Sequence, residues 1–218
     1  MTKRYDLIVF DWDGTVMDST AIIASSIQAA CRDLNLPIPD DDTARHVIGL
    51  GLMQALRHAV PDAPENLYEP LVTRYRHHFL SRNDSIPLFD QARETIMELY
   101  AAGYKLAVAT GKNRNGLDHA LESTCMGGYF HATRTADRTF SKPHPAMLLE
   151  LISELDVSPE RTLMIGDTTH DLQMAINAGV DAVGVTHGAH PEDQLRELKP
   201  VALLNDFVEL RAWFKVNA

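Results

Sequence analysis

Acidic, hydroxyl and basic side chains stand in this sequence where short apolar segments end. Carboxylates gathered at one spot repel one another, so they must be protonated or bind a cation. Oxygen ligands without a His or Cys cluster suit Mg²⁺. An aspartate can attack phosphorus, a second carboxyl can protonate the leaving group, and a lysine can offset negative charge. The residues suited to this chemistry are Asp11, Asp13, Thr110, Lys142, Asp167 and Asp171.

Asp11 and Asp13 are two residues apart, directly after an apolar segment. In an extended chain they share one face, and Trp12 lies on the other. We expect the Trp12 side chain to pack and its backbone N–H to be a candidate phosphate contact. Gly14 allows the backbone to turn away and to come close to a ligand.

Short branched apolar runs predict strands buried on both faces, as in parallel sheets. Predicted strands alternate with predicted helices, which indicates an α/β doubly wound sheet. Ligands of such sheets bind beyond the carboxyl ends of the strands, where the candidate residues would converge. The predicted strands are residues 6–10, 105–110, 131–135, 162–166 and 182–185, with 201–204 as an edge; the later predicted helices are 92–102, 115–124, 145–155 and 171–178.

The stretch between the first two strands is much longer than a simple crossover, which needs about 30 residues in total. Its apolar spacing predicts helices only, beginning with a stripe from Ile22 to Leu34 and continuing through 44–60 and 68–80. We therefore predict a helical cap domain at residues 17–83, inserted into a core made of residues 1–16 and 84–218.

The composition excludes several classes of protein. The 218 residues carry 20 basic and 30 acidic side chains, a net charge of −10, which is unlike a nucleic-acid binder. No run reaches the roughly 18 apolar residues of a membrane span, and the first residues resemble a buried strand rather than a signal peptide. Cys31 and Cys125 form no metal or disulfide pattern, so we expect a cytoplasmic protein.

Four short motifs in this sequence together resemble those of a known protein family. In order they are DWDGT (11–15), VATGK (108–112), SKPHP (141–145) and GDTTHD (166–171). Together they resemble the haloacid dehalogenase superfamily of phosphohydrolases, and the long helical insertion resembles its helical-cap subclass, phosphoglycolate phosphatases included. The resemblance covers nearly the whole chain and implies a Rossmann-like core.

The resemblance implies a role for each catalytic candidate. Asp11 would be the nucleophile and a metal ligand, and Asp13 the acid/base, whose backbone carbonyl also meets the metal. Thr110 would bind the phosphoryl group, with backbone N–H groups from Gly111 onward, and Lys142 would be the charge clamp.

The same resemblance implies Mg²⁺ as cofactor, with Asp167 as a ligand. Asp171 would support the metal site, directly or through water. From the sequence alone, Asp171 could also be the N-cap of its helix, which is compatible with a metal role.

Residues 47–51 (VIGLG) interrupt the helical pattern inside the insertion. They resemble the substrate-specificity loop of phosphoglycolate phosphatases, which makes Gly49 a substrate-binding candidate; an ordinary helix–helix turn is the alternative. Arg45 and His46 are candidates to meet the leaving group.

The chain has ten histidines, which raises the question of a metal site. His77 and His78 are adjacent, so a helix would point them in different directions. Four others fall in loops near the predicted active edge, and we expect them to be solvated: His144, His170, His187 and His190.

The leading hypothesis is a phosphomonoesterase acting on a small phosphorylated metabolite, with 2-phosphoglycolate as first candidate. Alternatives are a phosphomutase, such as a hexose phosphate mutase, and a pyrophosphatase or nucleotidase. A non-catalytic binding module is disfavoured because every key residue is present. No nucleic-acid or membrane partner is expected, and the sequence leaves open a monomer or a homodimer.

Overall fold

The computed structural model describes residues 3–82 and 86–217. Its centre is a six-stranded, fully parallel sheet with the strand order β3-β2-β1-β4-β5-β6. The register pairs Phe10 with Val108 on one side and with Ile165 on the other. The strands are β1 Leu7–Phe10, β2 Lys105–Thr110, β3 Ala132–Thr135, β4 Thr162–Gly166, β5 Asp181–Val185 and β6 Ala202–Leu204.

Alternate residues of the strands enter two apolar cores, one on each face of the sheet, because successive side chains of a strand point in opposite directions. Ile8 and Phe10 of β1 pack in one core, and Leu7 and Val9 pack in the other. Burial on both faces explains why the strands are continuous apolar runs.

Helices cover both faces, which confirms the predicted doubly wound α/β fold. The first core receives side chains from α5 (Ala92–Ala101), α6 (Arg114–Ser123) and α10 (Phe207–Asn217). The second receives side chains from α7 (Ala146–Glu154), α8 (Thr169–Ala178) and α9 (Glu192–Glu197). Among the described residues, no helix is both long and apolar enough to cross a membrane.

Between β1 and α5 the described residues form four α-helices, which we call the helical insertion. The helix α1 packs against α2 and α4, and α3 also packs against α4. The predicted division into cap and core stays a prediction, and its second boundary, between residues 83 and 84, lies outside the described residues. The helices are α1 Thr20–Asp33, α2 Asp41–His46, α3 Leu52–Ala59 and α4 Tyr68–Leu80.

The sequence pattern missed α9 and α10, and the interruption that it predicted at residues 47–51 within the helical stretch 44–60 is confirmed. The predicted helix 44–60 is broken by the loop 47–51, where Gly49 has φ +93°. A helix of L-residues cannot include that left-handed conformation, so α2 ends at His46 and α3 begins at Leu52.

Candidate active site

Three aspartates meet beyond the carboxyl ends of β1 and β4. Asp11, Asp167 and Asp171 are all buried, and each offers a carboxylate oxygen within 4.8 Å of the other two. The Asp11 N–H donates to the Ile165 carbonyl at 2.9 Å, so the sheet ladder itself fixes where Asp11 leaves β1.

Lys142 lies between two of these carboxylates. Its Nζ is 2.6 Å from Asp11 Oδ1 and 2.6 Å from Asp171 Oδ1, and its side chain is fully buried. Asp11 and Asp171 are buried, so bulk water does not screen their charges. The Lys142 ammonium offsets part of the charge of both carboxylates.

The pKa values of Asp11 and Asp167 reflect the burial of several carboxylates in one place. Burial raises the pKa of Asp11 well above its ordinary value; the Lys142 charge opposes this rise, while Asp171 and Asp167 add to it. Burial, followed by the Asp171 charge, raises the pKa of Asp167 to about 7. One lysine therefore does not compensate this cluster, and an additional cation would.

Hydrogen bonds and close backbone contacts fix Asp167. The Thr15 hydroxyl donates to its Oδ1 at 2.6 Å, and the Ala189 N–H donates to its Oδ2 at 2.7 Å. A Cβ at Gly14, which has φ +85°, would lie 2.3 Å from Asp167 Oδ2. Gly14 does not line the cavity described below, so its evident role is to make room for Asp167, and substrate contact stays a prediction.

Asp171 is the third residue of α8 and is not its N-cap. Thr168 is the N-cap, and Asp171 Oδ2 accepts hydrogen bonds from the Thr168 N–H (3.1 Å) and hydroxyl (2.6 Å), which completes a capping box. This corrects the N-cap alternative, and it leaves Asp171 Oδ1 facing Lys142.

The residues present fit a magnesium ion. Both carboxylate oxygens of Asp11 are buried without a hydrogen-bond partner, and Oδ2 has no ion pair in the described part of the chain either. An unpartnered buried carboxylate oxygen is costly unless a cation binds it. The three carboxylates offer only oxygen ligands, as Mg²⁺ prefers.

Asp13 stands apart from the three-carboxylate cluster. Its Oδ1 accepts from the Ser19 hydroxyl at 2.7 Å, and Lys112 Nζ lies 2.8 and 2.9 Å from its two oxygens. Ser19 and Lys112 therefore fix the position of the Asp13 side chain. The metal contact predicted for its backbone carbonyl stays a prediction.

A cavity of about 640 Å³ opens above these residues. Its floor, as we name it, comes from the sheet edge and comprises Asp11, Asp13, Thr110 and Lys112. Its roof, as we name it, comprises Ile23 and Ile27 of α1 with Tyr75 and Phe79 of α4; the exposed Arg76 and Leu80 of α4 also line the cavity. A charged floor therefore faces a largely apolar roof.

The insertion closes on the core at Gly111, which lines the cavity. A Cβ there would lie 2.5 Å from the backbone oxygens of both Gly49 and Leu50, so only glycine permits this approach. Nearby, the Gly51 N–H donates to the Ser141 hydroxyl oxygen at 2.8 Å. Gly49 also lines the cavity, as the specificity-loop prediction requires.

Two histidines hold the insertion from the other side. The Nε2–H groups of His170 and His190 donate to the His46 carbonyl at 2.9 and 3.0 Å, and the His46 and His190 rings stack 4.7 Å apart. His190 is 2 % exposed, so the expectation of a solvated loop residue was wrong for it, and His170 lies within α8 rather than in a loop. His187 is also engaged, with Nε2 3.0 Å from the Thr15 carbonyl, whereas His144 is exposed.

Two other candidates lie away from the cavity lining. Arg45 donates to the Thr20 hydroxyl oxygen at 3.3 Å and does not line the cavity, so this arrangement gives no support to its predicted contact with the leaving group. The Trp12 ring is buried and packs edge-on against Phe130, as expected for a packing residue.

Thr110 is buried in the floor, where its hydroxyl oxygen accepts from the Lys112 N–H at 3.2 Å.

Sequence reasoning gave no role to Thr15, Ser19, Lys112 or Ser141. Thr15 belongs to the motif 11–15 and Lys112 to the motif 108–112, so motif membership could have marked both. Ser19 had no signal beyond its closeness to Asp13, because its contact depends on how the chain turns after Gly14.

The comparisons with known proteins show the family of the chain. The sequence profile of haloacid dehalogenase-like hydrolases matches residues 8–185. The chain is 37% identical to "Probable phosphatase IndB" of Dickeya dadantii, covering 94% of this chain and 91% of that protein. It is 28% identical to pyrophosphatase PpaX of Bacillus cereus, covering 95% of each.

A solved structure has the same fold over nearly the full length. It is the crystal structure of a predicted phosphoglycolate phosphatase from Haemophilus somnus, with a TM-score of 0.83 and 27% identity. The match covers 96% of this chain and 98% of that one.

Proposed function

The chain belongs to the haloacid dehalogenase-like hydrolase family and is a phosphatase, and from this premise we propose that it is a Mg²⁺-dependent phosphomonoesterase working through an aspartyl phosphate on Asp11. The observation that carries the proposal is the state of Asp11: a buried carboxylate on the cavity floor, beside Lys142, with an oxygen that nothing in the described chain engages.

In the first step, an Asp11 carboxylate oxygen attacks the substrate phosphorus. The new O–P bond forms as the ester P–O bond breaks, and the departing oxygen takes a proton from the Asp13 carboxyl. Asp13 lies in the cavity for this transfer, with Ser19 and Lys112 fixing the position of its carboxyl group.

In the second step, Asp13 takes the proton back from a water molecule. The hydroxide oxygen bonds to phosphorus, and the P–O bond to Asp11 breaks to release phosphate and restore the carboxylate. Lys142 offsets the negative charge of Asp11 and of the phosphoryl group in both steps. The roof over the floor limits access of bulk water.

Asp11, Asp167 and Asp171 would hold Mg²⁺, together with the Asp13 carbonyl. When bound, the ion neutralises charge that builds up on the phosphoryl oxygens. Asp167 is already oriented for this by Thr15 and the Ala189 N–H.

We propose a small phosphorylated metabolite as substrate, with 2-phosphoglycolate as first candidate, and action in the cytoplasm without a nucleic-acid or membrane partner. The relative named pyrophosphatase makes pyrophosphate the candidate to test beside it. The resemblance to a phosphoglycolate phosphatase extends over the insertion, which supports the first candidate.

The test is phosphate release from a panel of phosphate monoesters, pyrophosphate and a hexose 1-phosphate, with Mg²⁺ and with EDTA. We expect turnover that requires Mg²⁺ and gives free phosphate. Formation of an isomeric hexose phosphate instead would establish a mutase, and no turnover of any compound would refute the proposal.

The metal has a second readout that does not depend on activity. Mg²⁺ should raise the thermal unfolding midpoint of the protein, because it binds only the folded site. The rise should be much smaller in Asp167→Asn, whereas the exposed Asp62→Asn should respond as wild type does.

A further inference from the structure

Lys112 is a nearly buried cation that the mechanism above uses only as a support for Asp13. Its side chain is 8% exposed, it lines the cavity, and its Nζ bonds both oxygens of Asp13. The Phe79 ring of α4 lies 4.8 Å from the same ammonium. The ammonium thus lies at the junction of floor and roof.

The contact with Asp13 places Lys112 beside the leaving group of the proposed mechanism. Asp13 must reach the leaving oxygen to protonate it, so a cation bound to Asp13 lies within a few ångströms of that part of the substrate. Lys142 is paired instead with Asp11 and Asp171.

Lys112 has hydrogen-bonding capacity left over. An ammonium carries three N–H donors, and the two oxygens of Asp13 account for two of them. No third acceptor for Nζ exists among the described residues. At least one donor is therefore free to bind an oxygen of the substrate.

The surroundings limit what that oxygen can belong to. The roof above Lys112 is apolar apart from the Tyr75 hydroxyl, and burial together with the Asp13 charge raises the pKa of that phenol, so it remains a neutral donor. Arg45 is directed elsewhere, and Arg76, although it lines the cavity, is exposed. One nearly buried cation therefore faces the leaving group.

We propose that Lys112 is a specificity-determining residue that binds a carboxylate on the leaving group, so that the substrate class is the phosphate ester of a small hydroxy acid. This inference rests on the proposed phosphatase function and adds to it the residue that reads the leaving group. A single cation matches a single charge: a neutral alcohol can accept only a weaker, uncharged hydrogen bond from the free donor, and a phosphate leaving group brings more negative charge than one lysine offsets.

The experiment compares two substrates that differ only in the group facing Lys112. In 2-phosphoglycolate a carboxylate stands where 2-hydroxyethyl phosphate has a neutral CH₂OH group. Steady-state kcat/KM is measured for both with wild type, Lys112→Met and Lys112→Arg, with pyrophosphate as a third substrate.

We expect wild type to prefer 2-phosphoglycolate. Lys112→Met should slow both esters because Asp13 loses a support, but 2-phosphoglycolate should lose about 10- to 100-fold more than 2-hydroxyethyl phosphate, the size of one charge-assisted hydrogen bond, so the ratio of the two kcat/KM values should fall by that factor. Lys112→Arg keeps the charge and should retain the preference. The exposed Lys215→Met, on α10, should match wild type on both.

The opposing outcomes are distinct. Equal losses on both esters in Lys112→Met would show that Lys112 only positions Asp13, which overturns this inference and leaves the phosphatase intact. A wild-type preference for pyrophosphate or for the neutral ester would also overturn it. Wild type that cleaves no ester would overturn the proposed function itself. Circular dichroism of each variant verifies that it is folded.

Discussion

The floor of the cavity consists of buried ionisable groups and one threonine, whereas its roof consists of apolar side chains and one tyrosine. Each charge on the floor has assigned partners: Asp13 bonds Ser19 and Lys112, and Asp11 faces Lys142. On the roof, Phe79 stacks on Tyr75, and the face of its ring contacts the Lys112 ammonium.

The floor and the roof of the cavity therefore have different structural requirements. Floor geometry must be held closely, because buried charges are tolerated only with partners and because reacting groups must meet at short range. The roof needs to exclude water and fit a leaving group, which many apolar residues can do. Floor changes should therefore abolish turnover, and roof changes should tune it.

The largest effect is expected from Asp11→Asn on the floor. Without the carboxylate no aspartyl phosphate forms, so kcat should fall on the order of 10³-fold or more, measured as phosphate release. The thermal midpoint without Mg²⁺ should not fall, because one crowded carboxylate is gone. Exposed Asp62→Asn is the matched control. Substantial residual turnover would remove Asp11 as nucleophile.

The next effect is expected where floor and roof meet. In Gly111→Ala the new Cβ must displace the Gly49 and Leu50 carbonyls, so the insertion cannot close fully. We expect kcat/KM to fall roughly 10- to 100-fold, as a misplacement of about 1 Å can do. Gly128→Ala, with no atom within 4 Å, is the control. Wild-type activity in Gly111→Ala would mean that closure does not matter.

A third test concerns the contact of His190 with the insertion. Its Nδ1 accepts from the Thr169 N–H and its Nε2–H donates to the His46 carbonyl, so the folded protein holds the ring neutral. Burial, then the neighbouring His170, lowers the pKa of His190 from 6.5 to about 4. The unfolded chain therefore binds more protons in this window, and stability should fall as pH drops from 6.5 toward 4.

The size of this loss is at most roughly 3 kcal/mol, from the difference between the two pKa values. His190→Gln should show a flatter decline than wild type when unfolding free energy is measured by urea titration between pH 4 and 7. Asp167, with its raised pKa, changes stability in the opposite direction, but it is common to both proteins and cancels in their difference. Parallel curves would refute this assignment.

The smallest effect is expected from Phe79→Leu on the roof. The variant keeps an apolar cover but loses the ring near Lys112. We expect kcat/KM to fall about two- to fivefold, the lower part of the range for cation–π contacts, because Asp13 remains the main partner of the ammonium. A loss as large as that of Asp11→Asn would end the distinction between floor and roof.

The sequence by itself determined the parallel sheet and the edge where its charges gather. Buried parallel strands require continuous apolar runs, so β2 and β4 could be located to the residue. Polar groups directly after such runs have to lie at one edge of a parallel sheet. The sequence alone therefore predicts that Asp11, Asp167 and Thr110 lie close together.

Only the tertiary structure decided which partner each charge has. Lys112 and Asp13 are separated by 99 residues, and His190 and His46 by 144, so no local pattern links them. The sequence made Arg45 a candidate for the leaving group and gave Lys112 no role, whereas in the structure Arg45 contacts Thr20 and Lys112 contacts Asp13. Periodicity reports which face of an element is buried, but contacts between distant elements depend on how the insertion folds back over the sheet.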